Sequence, residues 1–174
     1  MVDLVVASPP YPIIEMWDEI LNRQDGNIKT LIAHNKGSEA FELIHLELDK
    51  VWNEVNRVVK KSGFVCVNIG GADRILGENF NLFANHARFI SHFVRMGFIN
   101  LPEIIWRKST NSPNKLMGSV MLPSGAYVTL EHEFILIFSK GGKRIFKSDA
   151  EKLKDNKVHS FGKSKTSGFQ NFGR

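Results

Sequence analysis

The sequence has little of what a secreted, membrane-bound or metal-binding protein would need. Its 174 residues include one cysteine, Cys66, so no internal disulfide can form. No apolar run approaches the ~18 residues of a membrane-spanning helix, and Asp3 stands where a signal peptide would carry positive charge. The six histidines lack the spacing of metal ligands. We therefore expect a cytoplasmic protein, outside the membrane, without a metal ion.

Positive charge is concentrated at the C-terminal end of the chain. The net charge is +5, yet residues 1–140 hold 14 Lys/Arg against 15 Asp/Glu, whereas residues 141–174 hold nine against three. A basic segment of this kind can bind phosphates by counterion release, or it can be a solvated tail. We expect a catalytic domain over residues 1–145. Residues 146–174 are then a basic segment, either disordered or the start of a target-recognition region.

Hydrophobic periodicity predicts an α/β fold. Short apolar runs predict strands at residues 3–7, 64–69, 103–107 and 133–139. Apolar residues at helical spacing predict a helix over 39–61 with Ser38 as its N-cap, and a second helix from Leu82 towards Gly97. The first two strands and the helix between them suit a parallel crossover. The last two strands have no helix between them and suit an antiparallel pair at a sheet edge.

Four residues after the first strand carry the chemistry: Ser8, Pro9, Pro10 and Tyr11. Ligands of open α/β sheets bind beyond the carboxyl ends of strands, so the position is right for a site. An exocyclic amino group on a base is a poor nucleophile because its lone pair is delocalised into the ring. Ser8 Oγ and the Pro9 carbonyl oxygen can accept its two N–H bonds, and proline adds no competing donor. Tyr11 offers a face for base stacking, worth ~1–3 kcal/mol.

These four residues resemble the catalytic motif of the amino-methyltransferases that modify cytosine-N4 or adenine-N6 in DNA. That family has Asp, Asn or Ser before Pro-Pro and an aromatic residue, and serine is typical of the cytosine-N4 enzymes. The strand at residues 2–7 is similar to the family's VDLVVTSPPY strand, and residues 57–63 to its RVLKPGG segment. Residues 103–108 match EIIWxK. The likeness covers about residues 2–145, in order.

The resemblance implies half of a Rossmann-like sheet with helices on its faces and an antiparallel strand pair at one edge. It implies a restriction-modification enzyme that transfers methyl from S-adenosylmethionine to the amino group of a base flipped out of duplex DNA. Ser8, Pro9, Pro10 and Tyr11 would be catalytic, and Ser8 and Pro9 would also contact the cofactor. Such transfer needs proximity and in-line alignment and no covalent nucleophile.

Other residues have weaker expectations. Asn68 and Gly70 end a neighbouring strand, so the target-base pocket is their expected place. Arg107, Lys108 and Lys115 are either contacts to DNA phosphates or a solvated surface. We also expect Trp106 to pack in the core, and Cys66 to be a buried thiol with no catalytic part.

The sequence departs from the family in one respect, because it has no Phe-x-Gly-x-Gly turn for S-adenosylmethionine. We therefore expect the catalytic half alone, which would need a missing half or a partner chain to bind the cofactor. The strand at residues 3–7 would become an edge, where self-association or a partner subunit is expected.

Several alternatives stay open. The chain can be an inactive remnant, or a subunit for DNA binding or assembly. Its target can be adenine-N6, RNA or a protein glutamine, although Asn-Pro-Pro-Tyr is the usual motif of the RNA and glutamine enzymes. A split enzyme, a truncated relic and a cloned fragment are equally compatible with the sequence.

Overall fold

The computed structural model of the chain describes residues 1–108, 130–142 and 148. The chain divides into two compact units, residues 1–142 and 143–174. Only residue 148 of the second unit is described, so the account below concerns the first unit. No helix in the described ranges is long and apolar enough to cross a membrane.

Strands and helices alternate through the first half of the described chain. Their order and bounds are β1 (Val2–Ala7), a 3₁₀ turn (Glu15–Trp17), α1 (Asp18–Gln24), α2 (Asn27–Ala33), α3 (Gly37–Val58), β2 (Val59–Ile69), β3 (Ala72–Leu76), β4 (Asn79–Phe83), α4 (Asn85–Arg95), β5 (Ile99–Arg107) and β6 (His132–Lys140).

The main sheet is mixed and has the strand order β1-β2-β6-β5. β1 and β2 are parallel, whereas β6 is antiparallel to both β2 and β5. β3 and β4 form a separate antiparallel hairpin. The predicted α/β class is confirmed, as are the parallel β1–α3–β2 connection and the antiparallel β5–β6 pair. Among the described strands, β1 lies at one edge of the sheet and β5 at the other.

The two long helices, α3 and α4, pack against the same face of the sheet. Side chains alternate along a strand, so the buried residues at every second position of β2 and β6 belong to one face. The core of this layer contains Trp52 of α3, Phe89 and Phe93 of α4, Val65, Val67 and Ile69 of β2, and Leu136 and Phe138 of β6. On the opposite face Leu4, Val6 and Phe64 remain 55%, 72% and 39% exposed. That open face is therefore apolar and uncovered within the described residues.

Helix α3 differs from its prediction at both ends. It begins at Gly37 with Lys36 as the N-cap, so the prediction of Ser38 as N-cap is wrong. It ends at Val58, because Val59 is buried and pairs with Val2 of β1 in the sheet. Sheet pairing thus overrides a helical hydrophobic pattern that would continue to residue 61.

The β3–β4 hairpin replaces the predicted start of the second helix. Leu82 and Phe83 belong to β4, and α4 begins at Asn85. Phe83 is buried and stacks on Phe41 of α3, with ring centroids 5.4 Å apart. Two adjacent apolar residues fit a helix or a strand equally well, which is why periodicity alone placed them in the helix.

Candidate active site

The Ser8–Tyr11 loop lies where four strand ends meet. β1 and β2 are parallel and both end at this edge of the sheet. β6 runs the opposite way and begins there, and β5 ends there beside it. The topology therefore gathers Ser8, Gly70, Glu133 and Lys108 at one edge, although they are far apart in sequence.

The backbone after the loop takes an unusual conformation. Ile14 N–H donates to the Tyr11 carbonyl at 3.2 Å, and Ile13 between them has φ of +70°. A β-branched residue rarely adopts a positive φ, and such strain costs on the order of 1–3 kcal/mol. The Ile13 side chain is fully buried, and Arg74 donates to its carbonyl at 3.3 Å while pairing with Asp18 at 2.7 and 2.8 Å. Packing and the guanidinium thus hold the strained turn.

Asn85 fastens the other side of the loop. Its buried amide nitrogen donates to the Gly70 carbonyl at 3.1 Å and to the Pro12 carbonyl at 3.4 Å. Its oxygen lies 3.1 Å from His45 Nε2, so that nitrogen must be the one that carries the proton. Burial, foremost, lowers the pKa of His45 to about 4, so the imidazole is neutral at pH 7. A neutral network therefore connects the loop, the end of β2 and α3.

Tyr11 belongs to a second polar cluster on the open face. Asn68 Nδ2 donates to the Tyr11 hydroxyl at 3.0 Å and to Glu133 Oε2 at 2.8 Å. Lys108 Nζ donates to Glu133 Oε1. A Cβ placed on Gly70 would lie 3.2 Å from Tyr11 Cε2 and 3.3 Å from Glu133 Cγ. Glycine at position 70 is thus what allows the ring and the carboxylate to approach the end of β2.

The cluster has a defined charge state. Burial, then hydrogen bonding to Glu133 and its negative charge, raise the pKa of Tyr11 to about 12, against an opposing hydrogen bond with Ser8. Burial would raise the pKa of Glu133, but the bonds from Lys108, Asn68 and Tyr11 outweigh it and leave that pKa below its ordinary value. At neutral pH the site therefore presents a neutral phenol beside an ionised carboxylate with its own counter-ion.

The structure places the predicted loop residues where a ligand can reach them. Ser8 is exposed, whereas Pro9, Pro10 and Tyr11 are partly buried. Asn68 and Gly70 do lie against Tyr11. Their part in binding a target base stays a prediction.

The cations predicted to meet phosphate are differently placed. Arg107 is 83% exposed and lies 3.6 Å from Glu131, so it remains accessible. Lys108 is engaged with Glu133. Lys115 lies outside the described residues. Phosphate binding by these residues stays a prediction.

Two expectations about non-catalytic residues need correction. Trp106 is 49% exposed, so its predicted place in the core is wrong, because β5 is an edge strand and its outer face is uncovered. Lys108 Nζ lies 5.0 Å from the centre of its ring. Cys66 is only partly buried in β2, and burial raises the pKa of its thiol, which makes it a poor nucleophile.

Glu133 and Asn85 were not predicted as site residues. Glu133 opens an otherwise apolar run, Phe134 to Phe138, and an acidic residue at the head of a buried strand is the signal that could have singled it out. Asn85 lies at the start of an amphipathic helix, where asparagine is ordinary. No local pattern marks it.

A model of the DNA methylase family, the N6- and N4-amino-methyltransferases, matches residues 2–171. The chain belongs to this family. It is 50% identical over 152 residues to the type II methyltransferase M.MthZI of Methanothermobacter thermautotrophicus, covering 87% of this chain and 43% of that protein. It is 45% identical over 157 residues to M.MjaI of Methanocaldococcus jannaschii, covering 84% and 52%.

Solved structures of the family show the same fold. A crystal structure of TTHA0409 from Thermus thermophilus, a DNA modification methylase in complex with S-adenosyl-L-methionine, matches with a TM-score of 0.61 and 28% identity. The match covers 88% of this chain and 53% of that one. The chain thus spans about half the length of each relative.

Proposed function

We propose that the chain is the catalytic half of a site-specific DNA methyltransferase, which transfers methyl from S-adenosylmethionine to the N4 amino group of a cytosine flipped out of the duplex. The observation that carries the proposal is the Ser8-Pro9-Pro10-Tyr11 loop at the end of β1, with Ser8 exposed. Membership of the DNA methylase family supports it. Serine at the first position favours cytosine, since adenine enzymes of this type usually have aspartate.

The loop would act on the amino nitrogen through acceptors held in fixed positions. Ser8 Oγ and the Pro9 carbonyl would each accept one N–H bond, which makes the nitrogen more tetrahedral and its lone pair more available. Fixed φ angles at Pro9 and Pro10 keep that carbonyl oriented. The bond from Asn85 to Pro12 prevents the loop from shifting as a whole. Catalysis then depends on alignment with the donor.

The chain does not fit S-adenosylmethionine on its own. Ser8 and Pro9 can form one wall beside the methyl group, but the sequence has no glycine-rich turn for the methionine part. A cavity of about 540 Å³ lies beside the loop, between Ile13 and the hairpin residues Asp73–Gly77. Its guanidinium, Arg74, is already paired with Asp18. We propose that the cofactor is held largely by residues that this chain does not supply.

The open side of the sheet is where those residues would attach. β1 pairs only with β2, and its other edge has unpaired backbone groups in the described structure. Val6 and Leu4 are 72% and 55% exposed beside that edge. An apolar edge of this kind invites strand pairing. We propose that a partner subunit, or a second copy, covers it in a cytoplasmic complex on duplex DNA.

A chimera provides the test. The part of M.MthZI that this chain does not match is joined to residues 1–174 in the order found in that relative, and transfer of labelled methyl to duplex DNA is measured. We expect activity in the chimera and very little in the chain alone. Ser8→Ala should lower kcat at least ~100-fold, as loss of a hydrogen bond made to the transition state does. Ser91→Ala, an exposed serine of α4, is the matched control.

The outcomes separate the alternatives. Full activity of the Ser8→Ala chimera would contradict the assignment of the site. Transfer to RNA or protein in preference to DNA would contradict the substrate class. An inactive remnant, or a subunit for DNA binding alone, would give no transfer in the chimera and no heat of cofactor binding in calorimetry.

A further inference from the structure

We propose that Glu133 is a positioning residue that fixes the plane of the Tyr11 ring through Asn68, with Lys108 as its counter-ion. The inference rests on the proposed function, in which that ring is the platform for the target base. It deepens the proposal by assigning tasks to three residues of the β2, β5 and β6 ends.

The Tyr11 side chain is fixed at both of its ends. The loop turn holds the backbone end, where Ile14 N–H donates to the Tyr11 carbonyl at 3.2 Å. Asn68 holds the hydroxyl end at 3.0 Å. A ring with two rotatable bonds cannot tilt without breaking one of these contacts. A stacking surface whose orientation is set in advance loses less entropy when a base arrives.

Glu133 decides which way the Asn68 amide faces. An ionised carboxylate can only accept hydrogen bonds, so it selects the amide nitrogen and turns it towards Tyr11 as well. The amide oxygen of Asn68 has no hydrogen-bond partner within the described residues, so the nitrogen's two bonds alone set the orientation. Removing the carboxylate would free the amide to rotate.

Lys108 makes a buried carboxylate tolerable at this place. Glu133 is only 9% exposed, and an unpaired charge at that depth would be costly. The Lys108 side chain is 43% exposed, so it reaches in from solvent to neutralise Glu133. The close approach of Gly70 leaves no room for a larger group between the ring and the carboxylate. The cluster thus has a charged residue at its centre for which packing alone gives no reason.

The test reads the electrostatics at Tyr11 itself. Tyr11 and Tyr127 are the two tyrosines of the chain, so 3-fluorotyrosine introduced into the Tyr127→Phe variant labels position 11 alone. Its fluorine lowers the phenol pKa into a range where the folded chain can be titrated by ¹⁹F NMR. Glu133→Gln should lower the pKa of the label, because a neighbouring negative charge is lost. Lys108→Met should raise that pKa, because Glu133 is left without its counter-ion.

The opposite signs distinguish positioning from scaffolding. A cluster that merely holds the fold would loosen in both variants and move the pKa in the same direction, towards the ordinary value; that result, or no shift in either variant, overturns the proposal. Glu131→Gln is the matched control, since Glu131 lies on the approach to β6 beside Arg107, and it should leave the label unchanged. If Glu133→Gln does not fold by circular dichroism, the rise in Lys108→Met decides alone.

The titration needs neither DNA nor methyl donor, so the two proposals can fail separately. In the chimera, Glu133→Gln should lower kcat/KM roughly tenfold, a part of what base stacking contributes. Opposite pKa shifts without any methyl transfer would leave the positioning intact and contradict the function. Methyl transfer that is unaffected by Glu133→Gln would contradict the positioning and leave the function intact.

Discussion

Asn85→Ala tests whether the catalytic loop is held by the buried amide. The side chain is fully buried and connects three groups from distant parts of the chain. Alanine keeps the helical backbone of α4 but removes the bonds to the Gly70 carbonyl at 3.1 Å, the Pro12 carbonyl at 3.4 Å and His45 Nε2 at 3.1 Å. Those three groups would stay buried without partners.

The expected cost follows from the number and length of these bonds. A buried group left unsatisfied costs ~1–3 kcal/mol. The two bonds of 3.1 Å carry most of this, and the bond of 3.4 Å adds little. Water entering the vacated space can recover a part. We therefore expect a loss of about 3 kcal/mol, a large fraction of the ~5–15 kcal/mol by which domains are stable.

Chemical denaturation followed by tryptophan fluorescence measures this loss, since Trp52 lies in the core between α3 and α4. Asn81→Ala is the control. The Asn81 amide is exposed and donates only to the Asn79 carbonyl at 3.0 Å, so its removal should change stability by less than ~0.5 kcal/mol. An Asn85→Ala chain within ~1 kcal/mol of the parent would refute the view that this amide holds the loop.

Three further predictions concern the same half of the sheet. Folded His45 takes up a proton only near pH 4, whereas its ordinary pKa is 6.5, so stability should fall by about 3 kcal/mol as the pH drops through that interval; the fall should be smaller in His45→Gln. Gly70→Ala places a Cβ 3.2 Å from the Tyr11 ring and should cost ~1–2 kcal/mol in denaturation, whereas Gly71→Ala, with 3.6 Å to its nearest neighbour, should not. Val6→Lys, on the open edge, should leave the fold intact and reduce self-association in sedimentation, and unchanged sedimentation of an associating parent would contradict the docking edge.

The parts of the fold that the sequence could predict are those set by neighbouring residues. Residues 64–69 alternate in burial as a strand should, and the loop after β1 carries its chemistry in four consecutive residues. The end of α3 was misplaced because Val59 is held by pairing with Val2, a contact that no local pattern records. The hairpin was missed for a similar reason, since its Phe83 is buried by Phe41 of another element.

The candidate site shows the same division. Tyr11 could be predicted as the stacking residue, but its partner Glu133 could not. Glu133 meets Asn68 only because β6 inserts between β2 and β5. That strand order reverses the order in the chain, so the contact depends on the topology and not on any spacing in the sequence.

The most direct test of the central claim is the identity of the methylated nucleoside. Duplex DNA treated with the chimera and S-adenosylmethionine is digested, and the nucleosides are separated and weighed by mass spectrometry. The Ser8 loop predicts N4-methylcytosine, absent from DNA treated with the Ser8→Ala chimera. N6-methyladenine as the product, or N4-methylcytosine formed equally well without the Ser8 hydroxyl, would contradict the account.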